Sequence, residues 1–300
     1  YREHMILTAR EIGLDENRCA GLETAAHMEN AAVESLSFED FSVTAVVTGG
    51  ADANGGRVGD AAGWVERADR PGEYRPGTIN ILLYIDADLS PGCMARALVT
   101  MTEAKTAALQ ELMAESRYSR GLATGTGTGG AILICDAESG RYLTEAGKHS
   151  KLGEMIGRTV MPAVKRALFK QTGLDAGYQH DAMRRMARFG VTQAELYRRY
   201  ASSSRPYLIR PEFSERLERV ARGGPAVVLA SLLAHLIDQM DWGLISAKEA
   251  LDGAKPLLMG AETGDWPSGD GSADEAVRKL VDIWSNGMCD QVAASALSGA

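Results

Sequence analysis

The sequence predicts an α/β protein, with a mixed α+β arrangement left open: a layered helix-and-sheet domain followed by an all-helical C-terminal region. Three runs rich in apolar and β-branched residues indicate buried strands at Phe41–Thr48, Thr78–Asp86 and Ala131–Cys135. Segments whose apolar residues have helical spacing lie between or beside these runs, and beyond Gly173 only helical patterns follow. We therefore expect two domains, residues 1–175 and residues 176–300.

The first domain begins with two predicted helices, Tyr1–Leu14 and Cys19–Leu36. Both show a helical spacing of apolar or alanine residues, and the polar run 15–17 separates them. The predicted strand Phe41–Thr48 follows and runs straight into the glycine-rich segment 49–63. The second strand, Thr78–Asp86, then carries its polar residues toward its ends.

A long helix is predicted from Pro91 to about Met113. Ser90 is a preferred N-cap residue, and proline is favoured at the first helical position. At about 100° per residue, Lys105 falls inside the apolar stripe of this helix, whereas Glu103 projects away from it. Lys105 is therefore a candidate functional residue. The alternative is a lysine whose aliphatic stem covers apolar surface while its ammonium reaches water.

The rest of the first domain consists of a loop, a strand and a helix. Residues 119–130 read SRGLATGTGTGG, which is the composition of a loop, and they lead into the strand Ala131–Cys135. The run 147–151 precedes a helix with apolar positions up to Leu168. We expect Pro162 to kink or divide that helix.

The C-terminal region is predicted to consist of helices joined by short connectors. In order, the segments are a helix at Met183–Tyr200, an extended connector at Arg205–Pro211, helices at Glu212–Arg222, Ala226–Met240 and Ala247–Ala254, a linker at Gly260–Asp274 and a final helix at Glu275–Leu297. Pro256 is expected to end the helix before it. A dimerisation surface, a lid and an interaction module all remain open as its role.

Composition excludes several classes of partner. With 32 basic and 40 acidic residues the net charge is -8, which argues against nucleic acid or an anionic membrane surface. The most apolar stretch, Ala226–Ile237, is shorter than the roughly 20 residues of a bilayer span, so no membrane helix is expected. The four cysteines include no CxxC pair, which is typical of a reducing compartment, and we expect a cytoplasmic protein.

Glycine is enriched, and its clusters mark the candidate site. The motif Gly125-Thr-Gly-Thr-Gly-Gly130 satisfies G-x-G-x-x-G, but a strand follows it where the dinucleotide fingerprint requires a helix. A nucleotide-binding module is therefore a weak alternative. The backbone N–H groups and hydroxyls of this loop are instead suited to an oxyanion hole or to a nest around a polar ligand.

His149 is the first candidate for a general base. It lies at the start of a predicted helix, where the helix dipole disfavours the protonated imidazole, although a surface histidine near a helix cap is the alternative. Asp60 is the second candidate base. His27 has an H-x-E pattern, but no P-C-x-x-C partner follows, so no metal site is expected.

A series of short motifs, in order over about half of the chain, resembles the adenosylcobinamide amidohydrolase family. The motifs are Leu22–Asn30, Val43–Gly50, Gly59-Asp60, Gly77–Ile81, Leu89–Gly92, Thr102–Leu109, Arg117–Ser119, Ala123–Thr128 and Gly147–Gly153. The resemblance implies a corrinoid salvage enzyme. Such an enzyme hydrolyses the amide between the corrin side chain and aminopropanol, giving adenosylcobyric acid and 1-amino-2-propanol.

On this basis we expect the two glycine-rich loops and the end of the second strand to meet in one cleft. The hypothesised catalytic residues are His149, Asp60, Lys105 and Glu103. The hypothesised substrate-binding residues are Asn80, Thr124, Gly125, Thr126, Gly127, Thr128 and Lys151. The N–H groups of 125–129 are expected to hold the oxyanion, and direct attack by water and an acyl-enzyme both remain open.

The same resemblance sets the expected ligands. The substrate is a corrinoid whose cobalt belongs to the substrate, so no further cofactor is expected, and a homo-oligomer is possible. The family pattern ends the Gly-Thr loop with Asp where this chain has Gly129, and the pattern around Asn54 is also altered. These departures motivate the alternative of a corrinoid-binding protein without catalysis.

Overall fold

The computed structural model describes residues 2–63, 65, 77–258, 266 and 271–295. The chain divides into two compact units, Tyr1–Asp175 and Ala176–Ala300. Each unit has its own hydrophobic core.

The first unit combines helices with short and long strands. In chain order its elements are α1 (Arg2–Glu11), β1 (Ala32–Phe38), β2 (Phe41–Gly49), β3 (Gly55–Gly56), β4 (Ile79–Ile85), β5 (Asp88–Leu89), α2 (Pro91–Glu111), β6 (Gly125–Thr126), β7 (Gly130–Cys135), β8 (Tyr142–Leu143) and α3 (Lys151–Thr172). A single 3-10 turn, Met28–Asn30, precedes β1.

The long strands form a four-stranded mixed sheet in the order β1-β2-β4-β7. The first three strands pair antiparallel, whereas β4 and β7 pair parallel, because α2 carries the chain back across the sheet between them. Side chains of β2 and β4 such as Val43 and Leu83 pack in one core with Met101 of α2 and Ile156 of α3. The predicted α/β class, with its mixed arrangement, is therefore confirmed.

The predicted helix Cys19–Leu36 is wrong. Its residues from Ala32 onward belong to β1, which pairs along its whole length with β2 through the hairpin register Phe38↔Phe41. The turn residue Glu39 has φ of 51°, a left-handed conformation that lets two residues reverse the chain. Ala32, Glu34 and Leu36 are the more buried members of the strand, which is a spacing of two. The alanine-rich start of the segment concealed that alternation.

The two long helices of the first unit begin as predicted. The Ser90 hydroxyl accepts a hydrogen bond from the Cys93 N–H at 3.2 Å, and the Ser150 hydroxyl accepts one from the Gly153 N–H at 3.0 Å. The expected division at Pro162 does not occur, since α3 continues to Thr172. Helix α3 packs against α2, β1 and β2, and this packing offsets the one backbone hydrogen bond that a proline removes.

The second unit is helical throughout its described residues. Its helices are α4 (Ala182–Ala187), α5 (Gln193–Ala201), α6 (Arg210–Ala221), α7 (Gly224–Asp241), α8 (Ala247–Leu258) and α9 (Ala273–Ala294). Trp284, Phe213 and Tyr200 are its largest fully buried side chains.

Two predictions for the second unit need correction. The single helix Met183–Tyr200 is two helices, because Gly190 has φ of 85° and the Thr192 hydroxyl caps the next helix. Pro256 does not end its helix, since α8 continues to Leu258. Within the predicted linker, residues 260–265 and 267–270 lie outside the described residues, and so does the predicted end of the last helix at Leu297.

A buried ion pair joins α7 to the residue after α4. Both guanidinium N–H groups of Arg188 bond the Asp238 carboxylate, at 2.6 and 2.7 Å, and the Arg188 side chain is only 2% exposed. Such bidentate geometry fixes the orientation of the two side chains as well as pairing their charges.

Within the described ranges no single helix is long and apolar enough to cross a bilayer. Helices α6 and α7 meet the length and composition requirement only when they are counted together, and the chain bends by 75° between them.

Candidate active site

A cavity of about 790 Å³ lies in the first unit between the two glycine-rich loops and α2. Its walls come from residues of the segment 54–63, from Thr102, Lys105 and Thr106 of α2, from Tyr118, and from the Gly-Thr loop 124–128. The expected convergence of the two loops is therefore observed. The volume is large enough to hold a sizeable part of an organic ligand.

Two very short strands hold the loops together. β3 pairs antiparallel with β6 in the register Gly55↔Thr126 and Gly56↔Gly125. A Cβ atom on Gly55 would lie 2.7 Å from the Ala51 carbonyl oxygen. A side chain at this position would therefore displace backbone, and glycine permits the close approach.

Asn54 is a buried residue that links the two glycine-rich loops by hydrogen bonds. Its side chain is only 2% exposed, and its Nδ2 donates to the Gly77 carbonyl at 3.0 Å. The Tyr118 hydroxyl donates to Asn54 Oδ1 at 2.6 Å, and the Gly127 N–H donates to the Asn54 carbonyl at 3.2 Å. Asn54 thus connects the first loop to the entry of β4 through its buried side-chain amide, and to the Gly-Thr loop through its backbone carbonyl.

The threonine hydroxyls of the Gly-Thr loop also serve to fix it. Thr126 Oγ1 accepts a hydrogen bond from the Ile79 N–H at 3.1 Å, and Thr124 Oγ1 accepts one from the Val58 N–H at 2.9 Å. Thr128 Oγ1 lies 2.7 Å from Thr78 Oγ1. These contacts explain why hydroxyl-bearing residues alternate with glycine, since each anchors the loop to a different neighbour.

The expected oxyanion donors are reduced in number by these contacts. The Gly127 N–H bonds to Asn54, and the Gly129 N–H bonds to the Thr126 carbonyl at 3.3 Å, so neither is available to a ligand. Thr128 lines the cavity, and its N–H has no partner among the described residues. It is therefore a candidate backbone donor to a ligand.

Gly129 occupies a position with little room. A Cβ atom there would lie 3.0 Å from Thr126 Oγ1 and 3.1 Å from the Ile79 carbonyl oxygen. This loop conformation therefore favours glycine where the family pattern has aspartate.

Lys105 lies against the Gly-Thr loop. Its Nζ is 3.3 Å from the position that a Cβ atom of Gly125 would take, so the absence of a side chain at 125 makes room for the amine. Among the described residues no carboxylate or hydroxyl pairs with this amine. Burial lowers the pKa of Lys105 below its usual value because the charged ammonium is desolvated.

Asp60 is the carboxylate of the cavity, and its oxygens are already engaged. Burial alone would raise its pKa, but hydrogen bonds from the Ser116 and Ser119 hydroxyls and from the Arg57 N–H outweigh burial and lower the pKa. The Ser116 contact is 2.6 Å and the Arg57 contact is 2.8 Å. Asp60 therefore stays ionised at neutral pH and is a weaker base than an ordinary carboxylate.

The structure does not bring His149, Glu103 or Lys151 to this cavity. His149 is exposed in the turn before α3, and its neighbour Lys148 pairs with Glu103 at 3.0 Å. Glu103 and Lys105 differ by about 200° around α2. The turn that carries Lys148 and His149 therefore lies beside a different face of α2 from the one that borders the cavity. Lys151 pairs with Glu154 at 2.6 Å and lies over the Phe38 ring.

Asn80 has a structural position beside the site. Its Nδ2 donates to the Glu23 carbonyl at 2.7 Å, and its Oδ1 accepts from the Gly130 N–H at 3.0 Å. Both ends of the amide are therefore used to tie the segment before β1 to the strands β4 and β7. Asn80 is 5% exposed and does not line the cavity.

Sequence reasoning overlooked Asn54 and Tyr118 as site residues. The available signal was a polar residue directly before a Gly-Gly pair, which favours a side chain that bonds nearby backbone. No group of three or more His, Cys, Asp or Glu side chains is placed to hold a metal in the described part of the chain.

Comparison with known proteins agrees with the motif pattern. Residues 1–176 match the family model described as adenosylcobinamide amidohydrolase. An uncharacterised protein of Methanocaldococcus jannaschii is 39% identical over 182 residues, which are 57% of this chain and 71% of that relative. No solved structure matches the chain. Because the matching family model spans more than half of its residues, the chain belongs to the adenosylcobinamide amidohydrolase family.

Proposed function

We propose that the protein hydrolyses the amide bond between the corrin side chain and aminopropanol of adenosylcobinamide. The products are adenosylcobyric acid and 1-amino-2-propanol. The observation that carries this proposal is Lys105: a partly buried amine without an acidic partner among the described residues, facing a large cavity beside the Gly-Thr loop. Family membership supplies the substrate class.

Lys105 is the general base in this mechanism. Because burial lowers its pKa, a larger fraction of the side chain is the neutral amine at a given pH than for an exposed lysine. The amine takes a proton from a water molecule as that water attacks the amide carbon. The resulting ammonium then donates a proton to the leaving nitrogen as the C–N bond breaks.

The Gly-Thr loop stabilises the charge on the carbonyl oxygen. The Thr128 N–H, which has no partner in the described residues, is the proposed donor, and the hydrogen bonds of Asn54 and Thr126 keep the loop rigid. A donor fixed before the reaction stabilises the developing oxyanion without further reorganisation.

Attack by water is favoured over an acyl-enzyme. Each threonine hydroxyl of the cavity, at positions 102, 106, 124, 126 and 128, is bonded to another group. In the described structure none of these hydroxyls bonds to Lys105. A nucleophile and its base normally lie within hydrogen-bond reach, so a threonine nucleophile lacks its base here.

The proposal extends to partners and location. A corrinoid supplies its own cobalt, so the proposed reaction requires no additional cofactor. Cys19, Cys93, Cys135 and Cys289 are all free, which is consistent with our proposal of a cytoplasmic enzyme.

The test is incubation of purified full-length protein with adenosylcobinamide. Released 1-amino-2-propanol is derivatised and measured by mass spectrometry, and the corrinoid product is separated by chromatography. We expect both products in equal amounts. A shift of the corrinoid absorption spectrum without release of amine would instead support the alternative of a non-catalytic corrinoid-binding protein.

A further inference from the structure

The cavity has an unbalanced positive charge. Arg57, Asp60 and Lys105 are the charged side chains among its described lining residues, and Tyr118 is the other titratable one. The Asp60 carboxylate is engaged by two serine hydroxyls and a backbone N–H. In the described structure no acidic side chain pairs with Lys105, and Glu103, the acidic residue nearest to it in the helix sequence, pairs with Lys148 instead.

The proposed reaction creates a group that would balance this charge. Hydrolysis turns a neutral amide into a carboxylate and an amine, and that amine is a cation once protonated. When the C–N bond breaks, Lys105 has given its proton to the leaving nitrogen and is a neutral amine, and the new group is a carboxylic acid. Transfer of the acid's proton to Lys105 then gives a carboxylate beside an ammonium. An ammonium and a carboxylate in a partly desolvated cavity attract each other more strongly than in water.

We propose that Lys105 in its ammonium form is the binding site for the carboxylate of the corrinoid product, and that the amine product therefore leaves first. This inference rests on the proposed function. The position of the amine supports it, because Nζ lies against the open surface of Gly125, where a side chain would block an incoming carboxylate. The Thr128 N–H in the same loop offers a second donor to that carboxylate.

The product acid should consequently bind in a pH-dependent way, whereas the neutral amide substrate should not. Below the pKa of Lys105 the ammonium pairs with the carboxylate, and above it the pair is lost. Arg57 also lines the cavity, and Asp60 is ionised over the same range because its pKa is lowered. The titration of Lys105 is thus the change expected to dominate above neutral pH.

The experiment is equilibrium binding of adenosylcobyric acid and of adenosylcobinamide to the full chain between pH 6 and pH 10. For wild type we expect affinity for the acid to fall as pH rises. Lys105→Met should bind the acid about tenfold or more weakly at pH 7, without that pH dependence, and should bind adenosylcobinamide nearly as wild type does. Lys105→Arg keeps a permanent charge, so it should retain much of the affinity for the acid while losing hydrolysis.

Lys148→Met is the matched control, because it removes a lysine charge beside α2 but outside the cavity. It should bind both corrinoids as wild type does. Equal binding of the acid by wild type and Lys105→Met at pH 7, with adenosylcobinamide still bound, would overturn the inference alone. Failure of the wild type to bind either corrinoid would overturn the proposed function, and this inference with it.

Steady-state product inhibition tests the order of release. The acid should inhibit competitively against adenosylcobinamide. Because it leaves last, it binds the same free enzyme that the substrate binds. 1-Amino-2-propanol should inhibit noncompetitively. The reverse pattern would contradict the proposed order.

Discussion

At the scale of single residues, Lys105 shows how burial and missing partners create reactivity. An ion pair would stabilise the ammonium and offset desolvation, as at the buried pair Arg188–Asp238 in the second unit. Lys105 has no such partner among the described residues, so desolvation acts alone and lowers its pKa. Two cationic side chains in one chain therefore lead to different expectations: the paired Arg188 has a structural role, whereas the unpaired Lys105 is a candidate for chemistry.

The first prediction concerns Lys105→Met. Loss of the base should lower kcat/KM by about 10²–10⁴-fold. Since the neutral amine is the active form, wild-type kcat/KM should rise with pH and level off above the lowered pKa of Lys105, and the variant should lose this rise. A pH–rate profile measured on adenosylcobinamide, with Lys148→Met as control, checks both expectations. An unchanged profile in Lys105→Met would exclude lysine as the base.

The second prediction concerns His149→Ala. Because His149 is exposed and does not line the cavity, the variant should keep kcat/KM within about threefold of wild type. The measurement is the same amine-release assay. A loss comparable with that of Lys105→Met would show that the turn before α3 reaches the reacting amide when substrate is bound.

Sequence reasoning succeeds for residues whose signal is local. The glycine-rich loops and the position of Lys105 in an apolar stripe were visible in the sequence, and both border the cavity. Asn54 was not recognised, because its burial arises only when two loops distant in sequence meet. The position of His149 relative to the cavity likewise depends on how α3 packs, which no local pattern encodes.

At the scale of elements, the N-terminal turn of α3 depends on a close approach between backbones. A Cβ atom on Gly153 would overlap the Gly147 carbonyl group, whose position is set by the turn that carries the Ser150 cap. Gly157, one turn further along the same helix, has nothing within 4 Å of its Cβ position. Two glycines in one helix are therefore expected to respond in opposite directions to the same substitution.

The third prediction compares these two positions. Gly153→Ala should lower the free energy of unfolding of the first unit by about 1–3 kcal/mol, because backbone must move to admit the methyl group. Gly157→Ala should raise it by about 0.5–1 kcal/mol, because alanine loses less backbone entropy in a helix. Urea denaturation followed by circular dichroism measures both. Equal effects at the two positions would contradict the close approach at Gly153.

Elements with strong local signals were predicted, and those that depend on pairing were not. Ser90 fixes the start of α2 through its own hydroxyl, and this cap was predicted from the sequence. Ser150 caps α3 in the same way, although the sequence analysis did not single it out. β1 exists because β2 lies beside it, and the alanines at its start fit a helix equally well. Pro162 and Pro256 remain inside helices since tertiary packing outweighs the local preference.

At the scale of the whole molecule, the two cores are built from separate parts of the chain. The first runs from Ala32 to Leu168, and the second from Ala182 to Val292. All described residues that line the candidate active site belong to the first unit. A mutation in the second core should therefore lower the stability of the second unit without changing the rate of catalysis.

The fourth prediction tests this separation with Leu280→Ala. Leu280 is fully buried in α9, so the variant should lower the free energy of unfolding of the second unit by about 2–5 kcal/mol through lost burial and a cavity. At a temperature where both units stay folded, kcat/KM for adenosylcobinamide should stay within about twofold of wild type. A marked fall in kcat/KM under those conditions would show that the helical unit contributes to catalysis. Both units would still be folded, so unfolding could not account for the lower rate.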